Sequence, residues 1–279
     1  MLLPAIIALF LILVLAVIVA FLSKKSFVYQ QKVNGIAASF PRTPASGVFD
    51  PAAVRNLPEP AQRYLLHAIK PGAPLARTVI IEQKGQMKFK PDSPFLDMHC
   101  TEILCPGLGF TWTAKMAMYH LPMSVTDYYH SNDGAVHVEV IHLVVIMNEG
   151  GLDITRSSRG RLAGEAVWCP TSLLPGPNVR WEALDENRAR FVQTIDGEEI
   201  ATDITVDETG RLLKVSLLRY GNVKNPTWDY LPYGFTVLQE QTFGNFTIPT
   251  HLQGGWWFGT ERYNPDAAST FIIQDVTFY

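Results

Sequence analysis

Cysteine is scarce in this 279-residue chain: there are three, Cys100, Cys105 and Cys169. An odd number in a long chain is no disulfide framework. The step of five between the first two is not a C-x-x-C redox pair, so all three read as small buried thiols. Charge is scarce too. Charged residues make up 18% of the chain, the net charge is −3 and the pI is near 6.2. Nucleic-acid binding needs a basic stripe, so no nucleic-acid partner is expected. The familiar catalytic signatures are missing: no G-x-S-x-G, no H-E-x-x-H, no Walker loop and no G-x-G-x-x-G. His137-Val138-Glu139 is not followed by P-C-x-x-C, only by Trp168-Cys169-Pro170, which excludes the zinc-deaminase pattern. Zinc needs three or four ligands, and His137 and Glu139 have no second pair at ligand spacing. No metal, no cofactor and no catalytic residue is assigned.

A long apolar run is present. Residues 2–22 carry no charge and stop against Lys24 and Lys25. About 20 apolar residues of helix cross a bilayer core. The run lacks a basic n-region and a good cleavage site, which favours an uncleaved anchor over a signal peptide. The expected organisation is a transmembrane anchor at 1–25, a linker at 26–50 and one β-rich domain at 51–279. Lys24, Lys25, Lys32 and Arg42 follow the run, so the positive-inside rule predicts a single-pass protein of the cell membrane with a cytoplasmic domain; a periplasmic domain is the alternative.

Within the domain one early helix is expected. Pro58-Glu59-Pro60 suits a first turn, Ala61, Tyr64, Leu65 and Ala68 recur at helical spacing, and Pro71-Gly72 ends it. The period then becomes two. Phe110, Trp112, Ala114, Met116 and Met118 alternate with Thr111, Thr113, Lys115 and Ala117, the mark of a half-buried strand. Residues 135–147 read as one long strand after a Ser131–Gly134 turn. Further strands are expected at 189–195, 200–206, 212–219 and 271–279, and a second helix or helical turn at 161–174. The predicted fold is mainly β (α+β): a curved antiparallel sheet or half-barrel with a few covering helices. Arg161 and Glu165 are four apart and share a helix face. With Trp112, Met116, Met118 and Trp168 they form the candidate lining or rim of a cavity inside the sheet.

Several short elements occur in a fixed order: Leu57-Pro58-Glu59-Pro60 with Arg63-Tyr64; Phe110-x-Trp112-x-Ala114; Arg161-Leu162-x-x-Glu165-x-x-Trp168-x-Pro170; Val179-x-Trp181; Asp207-x-x-Gly210; and Gly244 with Pro249, followed by Trp256. Their succession over roughly residues 55–279 resembles the bacterial DUF6544 family, also called DUF6920, whose function is unknown. Its sheet-rich pattern is similar to the LolA-type lipoprotein carriers, an open half-barrel with a helical lid that holds acyl chains. The resemblance implies that fold and supplies no catalytic residues.

Three functions follow as expectations. The first is a membrane-anchored, non-catalytic binding domain for a lipid or other apolar ligand, touching the bilayer through residues 2–22. The alternative is an accessory or structural subunit of a larger membrane complex, packed on partner subunits. The second alternative is an enzyme with an unrecognised site, using Glu165 or His137.

Overall fold

A computed structural model describes residues 2–88, 93–223 and 227–279. It contains three α-helices among these residues, α1 (Leu2–Ser39), α2 (Glu59–Ala68) and α3 (Leu152–Glu165). A short hairpin-like pair, β1 (Ala45–Val48) and β2 (Pro74–Leu75), stands apart. The main sheet has thirteen antiparallel strands: β3 (Val79–Met87), β4 (Leu96–Cys105), β5 (Gly109–Met118), β6 (Leu121–His130), β7 (Asp133–Val140), β8 (Val144–Gly150), β9 (Val179–Ala183), β10 (Arg188–Ile195), β11 (Glu198–Val206), β12 (Leu212–Gly221), β13 (Asp229–Phe243), β14 (Phe246–Trp256) and β15 (Ser269–Phe278). The order is β8-β7-β6-β5-β4-β3-β15-β14-β13-β12-β11-β10-β9, so the sheet is open, with β8 and β9 as its edges.

The sheet is bent around α3. Strands β7 and β12 lie eight strand spacings apart in that order, roughly 38 Å in a flat sheet. Yet α3, only about 10–12 Å across, packs on both. Two glycines allow the close fit. A Cβ at Gly134 of β7 would come within 3.0 Å of Thr155 Cα, and one at Gly160 of α3 within 3.3 Å of Arg219 Cγ. The bent halves are also tied directly. The Asp196 carboxylate, in the β10–β11 turn, accepts from the Tyr129 hydroxyl (2.5 Å) and the Asn132 backbone N–H (2.9 Å) of the β6–β7 hairpin. The architecture is thus a mainly β, open sheet with a few helices and no closed barrel.

The enclosed face holds the core. Helix α2 buries Pro60, Ala61, Tyr64, Leu65 and Ala68, as its spacing predicts. In β5 the even positions from Phe110 to Met116 are buried, while Lys115 and Ala117 are exposed. Tyr64, Leu65, Trp112 and Trp168 belong to one apolar cluster. The three cysteines are free and buried.

The N-terminal expectations need correction. Among the described residues no helix is long and apolar enough to cross a membrane. That overturns the single-pass placement and the orientation built on it. The expected span at 2–22 falls largely on side chains that lie outside the described residues (2–6, 8, 9, 11, 12, 15, 16, 18, 21 and 22). The linker expected at 26–50 instead holds the C-terminal end of α1, up to Ser39, then β1. Val33, Ile36 and Phe40 are buried with Cys105 and Tyr128 on the outer face of the sheet. Lys32 pairs with Asp133 (2.8 Å) and lies over the Tyr128 ring. Arg42 lies over the Tyr279 ring and donates to the Ala37 carbonyl. Two of the four basic residues read as topology signals are therefore structural contacts.

Two other elements differ from expectation. Residues 135–147 are not one strand. They form the β7–β8 hairpin, turning at Ile141 and His142 with φ of 53° and 55°. β-branched residues seldom adopt that region, so nothing at Ile141 signals a turn. The second helix starts at Leu152 rather than 161 and ends at Glu165; 3₁₀ turns at Ala166–Trp168 and Pro170–Leu173 follow.

Candidate functional site

Between α3 and the enclosed sheet face lies a cavity of about 340 Å³. Ligand pockets are typically about 300–1,000 Å³. Val125, Val136, Val138, Val215, Leu217, Leu252 and Phe271 give it apolar walls, and Val167 and Trp168 roof it. The polar end is set by strand register. Glu102 of β4 stands opposite Trp112 of β5, and Trp112 opposite Asp127 of β6. Cross-strand neighbours share a face about 4.5–5.5 Å apart. Two acids thus flank an indole on the buried side, with Gln83 of β3 beside them.

Helix α3 brings Arg161 and Glu165 down onto this row. Arg161 Nε donates to Glu165 (2.7 Å), Nη1 to Asp127 (2.8 Å) and Nη2 to Glu102 (3.3 Å). Its guanidinium also stacks 4.6 Å from the Phe110 ring centroid and 4.9 Å from that of Trp112. Glu102 is fully buried and accepts from Gln83 Nε2 at 3.1 Å. Burial and the neighbouring Glu165 push its carboxyl well above the usual range, against the pull of Arg161. Burial disfavours charge on Arg161, but Glu165, Glu102 and Asp127 outweigh it and hold the guanidinium protonated. Three acids share one cation here, and at Glu102 burial and Glu165 together favour the protonated form.

Four buried polar atoms of this row have no hydrogen-bond partner among the described residues: Gln83 Oε1, Asp127 Oδ1, Glu165 Oε2 and Trp112 Nε1. Buried polar groups are nearly always paired, so such a cluster along one cavity is a mark of function. Across the cavity, Arg219 donates from Nε to the Ser157 carbonyl (3.1 Å) and stacks on Tyr233 and Trp256. A second, larger depression of about 440 Å³ lies on the other side of α3. Its Arg190 is paired with Asp203 and its Arg159 with Glu198, both at 2.6 Å, and it is the weaker candidate.

Of the six residues expected from sequence, Trp112, Arg161, Glu165 and Trp168 line the cavity. Met116 and Met118 do not; they sit farther along β5, in or against the apolar core. The expected Arg161–Glu165 pair forms, within a buried network. Glu102, Asp127 and Gln83 were missed. The two acids each stand on an otherwise apolar face at period two: Met98, Cys100, Glu102, Leu104 in β4, and Met123, Val125, Asp127, Tyr129 in β6. A lone acid in such a row was the available signal. His137 and Glu139 lie instead on the outer face under α1, with His137 Nε2 3.5 Å from Glu139 Oε2 and the Tyr29 ring stacked on His137.

Among solved structures, the chain is similar to a LolA superfamily protein from Nitrosomonas europaea, at 10% identity and a TM-score of 0.37 over 79% of this chain and 92% of that one. It is also similar to a DUF1329 family protein from Desulfovibrio piger, at 9% identity and a TM-score of 0.34 over 73% and 86%. No curated protein matches. A family model matches residues 55–278, and the chain belongs to that family, DUF6920, a family of unknown function.

Proposed function

We propose that the chain is a non-catalytic binding protein for a lipid or other apolar small molecule, held between α3 and the enclosed sheet face. The observation that carries this reading is the cavity of about 340 Å³ itself: valine, leucine and aromatic walls, with polar groups gathered at one end. Apolar walls supply affinity at about 25 cal/mol per Å² removed from water, and the few polar groups fix orientation. Trp112, Trp168, Arg161 and Glu165 are the binding residues. Val215→Phe tests it by filling the space from the β12 wall. The full chain should bind an environment-sensitive apolar fluorophore, and the variant should lose at least about tenfold in affinity while unfolding at a similar denaturant concentration. A parent chain that binds neither the fluorophore nor any molecule recovered by solvent extraction would sink the proposal.

A further inference from the structure

The unpaired atoms at the polar end have signs, and the signs select a ligand. Three are acceptors (Gln83 Oε1, Asp127 Oδ1, Glu165 Oε2) and one is a donor (Trp112 Nε1). From them we infer that the cavity takes an uncharged apolar molecule ending in a hydroxyl, rather than a fatty acid or an amine; this rests on the binding function proposed above. A hydroxyl donates once and accepts up to twice. It can receive from the Trp112 N–H and give to Asp127, the next residue across the sheet in register.

An acid fits poorly, although an arginine stands there. Each of the three nitrogens of Arg161 already donates to a carboxyl group. An incoming carboxylate would add charge beside Asp127 and Glu165, and like charges in a low-dielectric site repel strongly. An ammonium fits poorly for the converse reason. The charged lining is already balanced, with Glu102, Asp127 and Glu165 against Lys88, Arg161 and Arg219. An ammonium could give to the three acceptors, but it would add a charge that nothing there balances and leave the Trp112 donor unpaired, since it accepts nothing.

The test compares three ligands of one chain length, decanol, decanoate and decylamine, as displacers of the apolar fluorophore from the full chain at pH 7. Decanol should displace at concentrations at least about tenfold below the other two. Trp112→Phe keeps a ring but removes the donor, and the preference for decanol should shrink severalfold. Melting curves show whether that variant is folded; if it is not, Asp127→Asn weakens the proposed acceptor in its place and should shrink the preference likewise. Decanoate or decylamine displacing as well as decanol overturns the hydroxyl assignment and leaves the binding function standing. A preference unchanged by a folded Trp112→Phe variant overturns it as well. No displacement by any of the three, with no fluorophore binding, overturns the binding function itself.

Discussion

Arg159 and Arg161 stand two residues apart on α3, so they point to different sides of the helix. Both are largely buried, and their surroundings differ in kind. Arg159 gives Nε to the Tyr129 hydroxyl (2.9 Å) and Nη2 to Asn132 Oδ1, and it pairs with Glu198, which is 46% exposed. Its partners come from the β6–β7 hairpin and from β11, strands far apart in the sheet order. Arg159 therefore acts as a clamp holding the bent sheet closed, mostly through neutral acceptors. Arg161 meets three carboxyl groups, two of them on β4 and β6 at either side of β5 in one half of the sheet, and ties no distant strands together. Its network leaves polar atoms over. A buried arginine whose surroundings are satisfied does structural work; one whose surroundings are in surplus marks a site.

Removing each charge should break that comparison open. Arg161→Leu should have the largest effect. It leaves Glu102, Asp127 and Glu165 buried without the guanidinium they share, and stripping one partner from a buried network costs about 3–5 kcal/mol. Urea denaturation at neutral pH measures it. A loss below about 1 kcal/mol would mean that the carboxyl groups simply take up protons or water, and that the cluster is not held by Arg161. Arg159→Leu should cost less, about 1–3 kcal/mol, for orphaning the Tyr129 and Asn132 groups. The Glu198 pair adds little because that carboxylate is half in water. Its mark is regional: amide exchange should quicken in the β6–β7 and β10–β11 turns and stay slow in β3 and β4. Uniform quickening would argue against a clamp.

The two arginines also differ in how far the sequence discloses them. The Arg161–Glu165 spacing and the alternation of β5 are local, so they can be read directly. What gives Arg161 its partners is not local. It depends on β4 and β6 pairing with β5 in one register, which brings Glu102 and Asp127 to either side of Trp112. The early helix and the later strands were legible because Pro, Gly and Asp mark their ends, as at Asp196-Gly197 with φ of 48° and 82°. The turns at Tyr119-His120 and Ile141-His142 take the same left-handed conformation without such residues, and the strands around them were merged or passed over. At the N-terminus, apolar content drew the reading toward a span and a linker. The docking of α1 rests on contacts such as Ser26–Glu139 and Lys32–Asp133, 113 and 101 residues apart in sequence, which no local window contains.

Titration sharpens the comparison further. The folded state holds the Glu102 proton above the usual carboxylate range. As pH rises past that range the unfolded chain releases this proton while the folded chain keeps it. Glu102 therefore subtracts stability progressively toward neutral pH. Gln mimics the protonated acid and can still accept from Arg161. Glu102→Gln should gain on the parent as pH rises from 4 to 7, by a margin smaller than the Arg161→Leu loss, and the difference should fade in acid. A variant that loses ground on the parent with rising pH would show that Glu102 is ionised in the fold.

The smallest effect belongs to Glu139, a buried carboxylate with no arginine. Burial pushes it up, but hydrogen bonds from Ser26 and Ser124 and the nearby His137 outweigh that and bring it below the usual range. The sign is opposite to that of Glu102: its contribution is present above the ordinary carboxylate range and is lost as pH falls through the lowered folded value. Ser26 reaches it from α1, with Oγ donating to Glu139 Oε2 at 2.5 Å. Ser26→Ala should cost about 1.5 kcal/mol at pH 7, the low end for one buried hydrogen bond to a charged group. The cost should shrink in acid, where the carboxyl group is protonated with or without its serine. Denaturation of parent and variant at pH 7 and at the lowest pH at which both still fold decides it. A loss equal at both values would mean that Ser26 anchors α1 by packing alone. A loss confined to neutral pH would show that helix and sheet are joined through this one charge, on the face opposite the cavity and independently of Arg161.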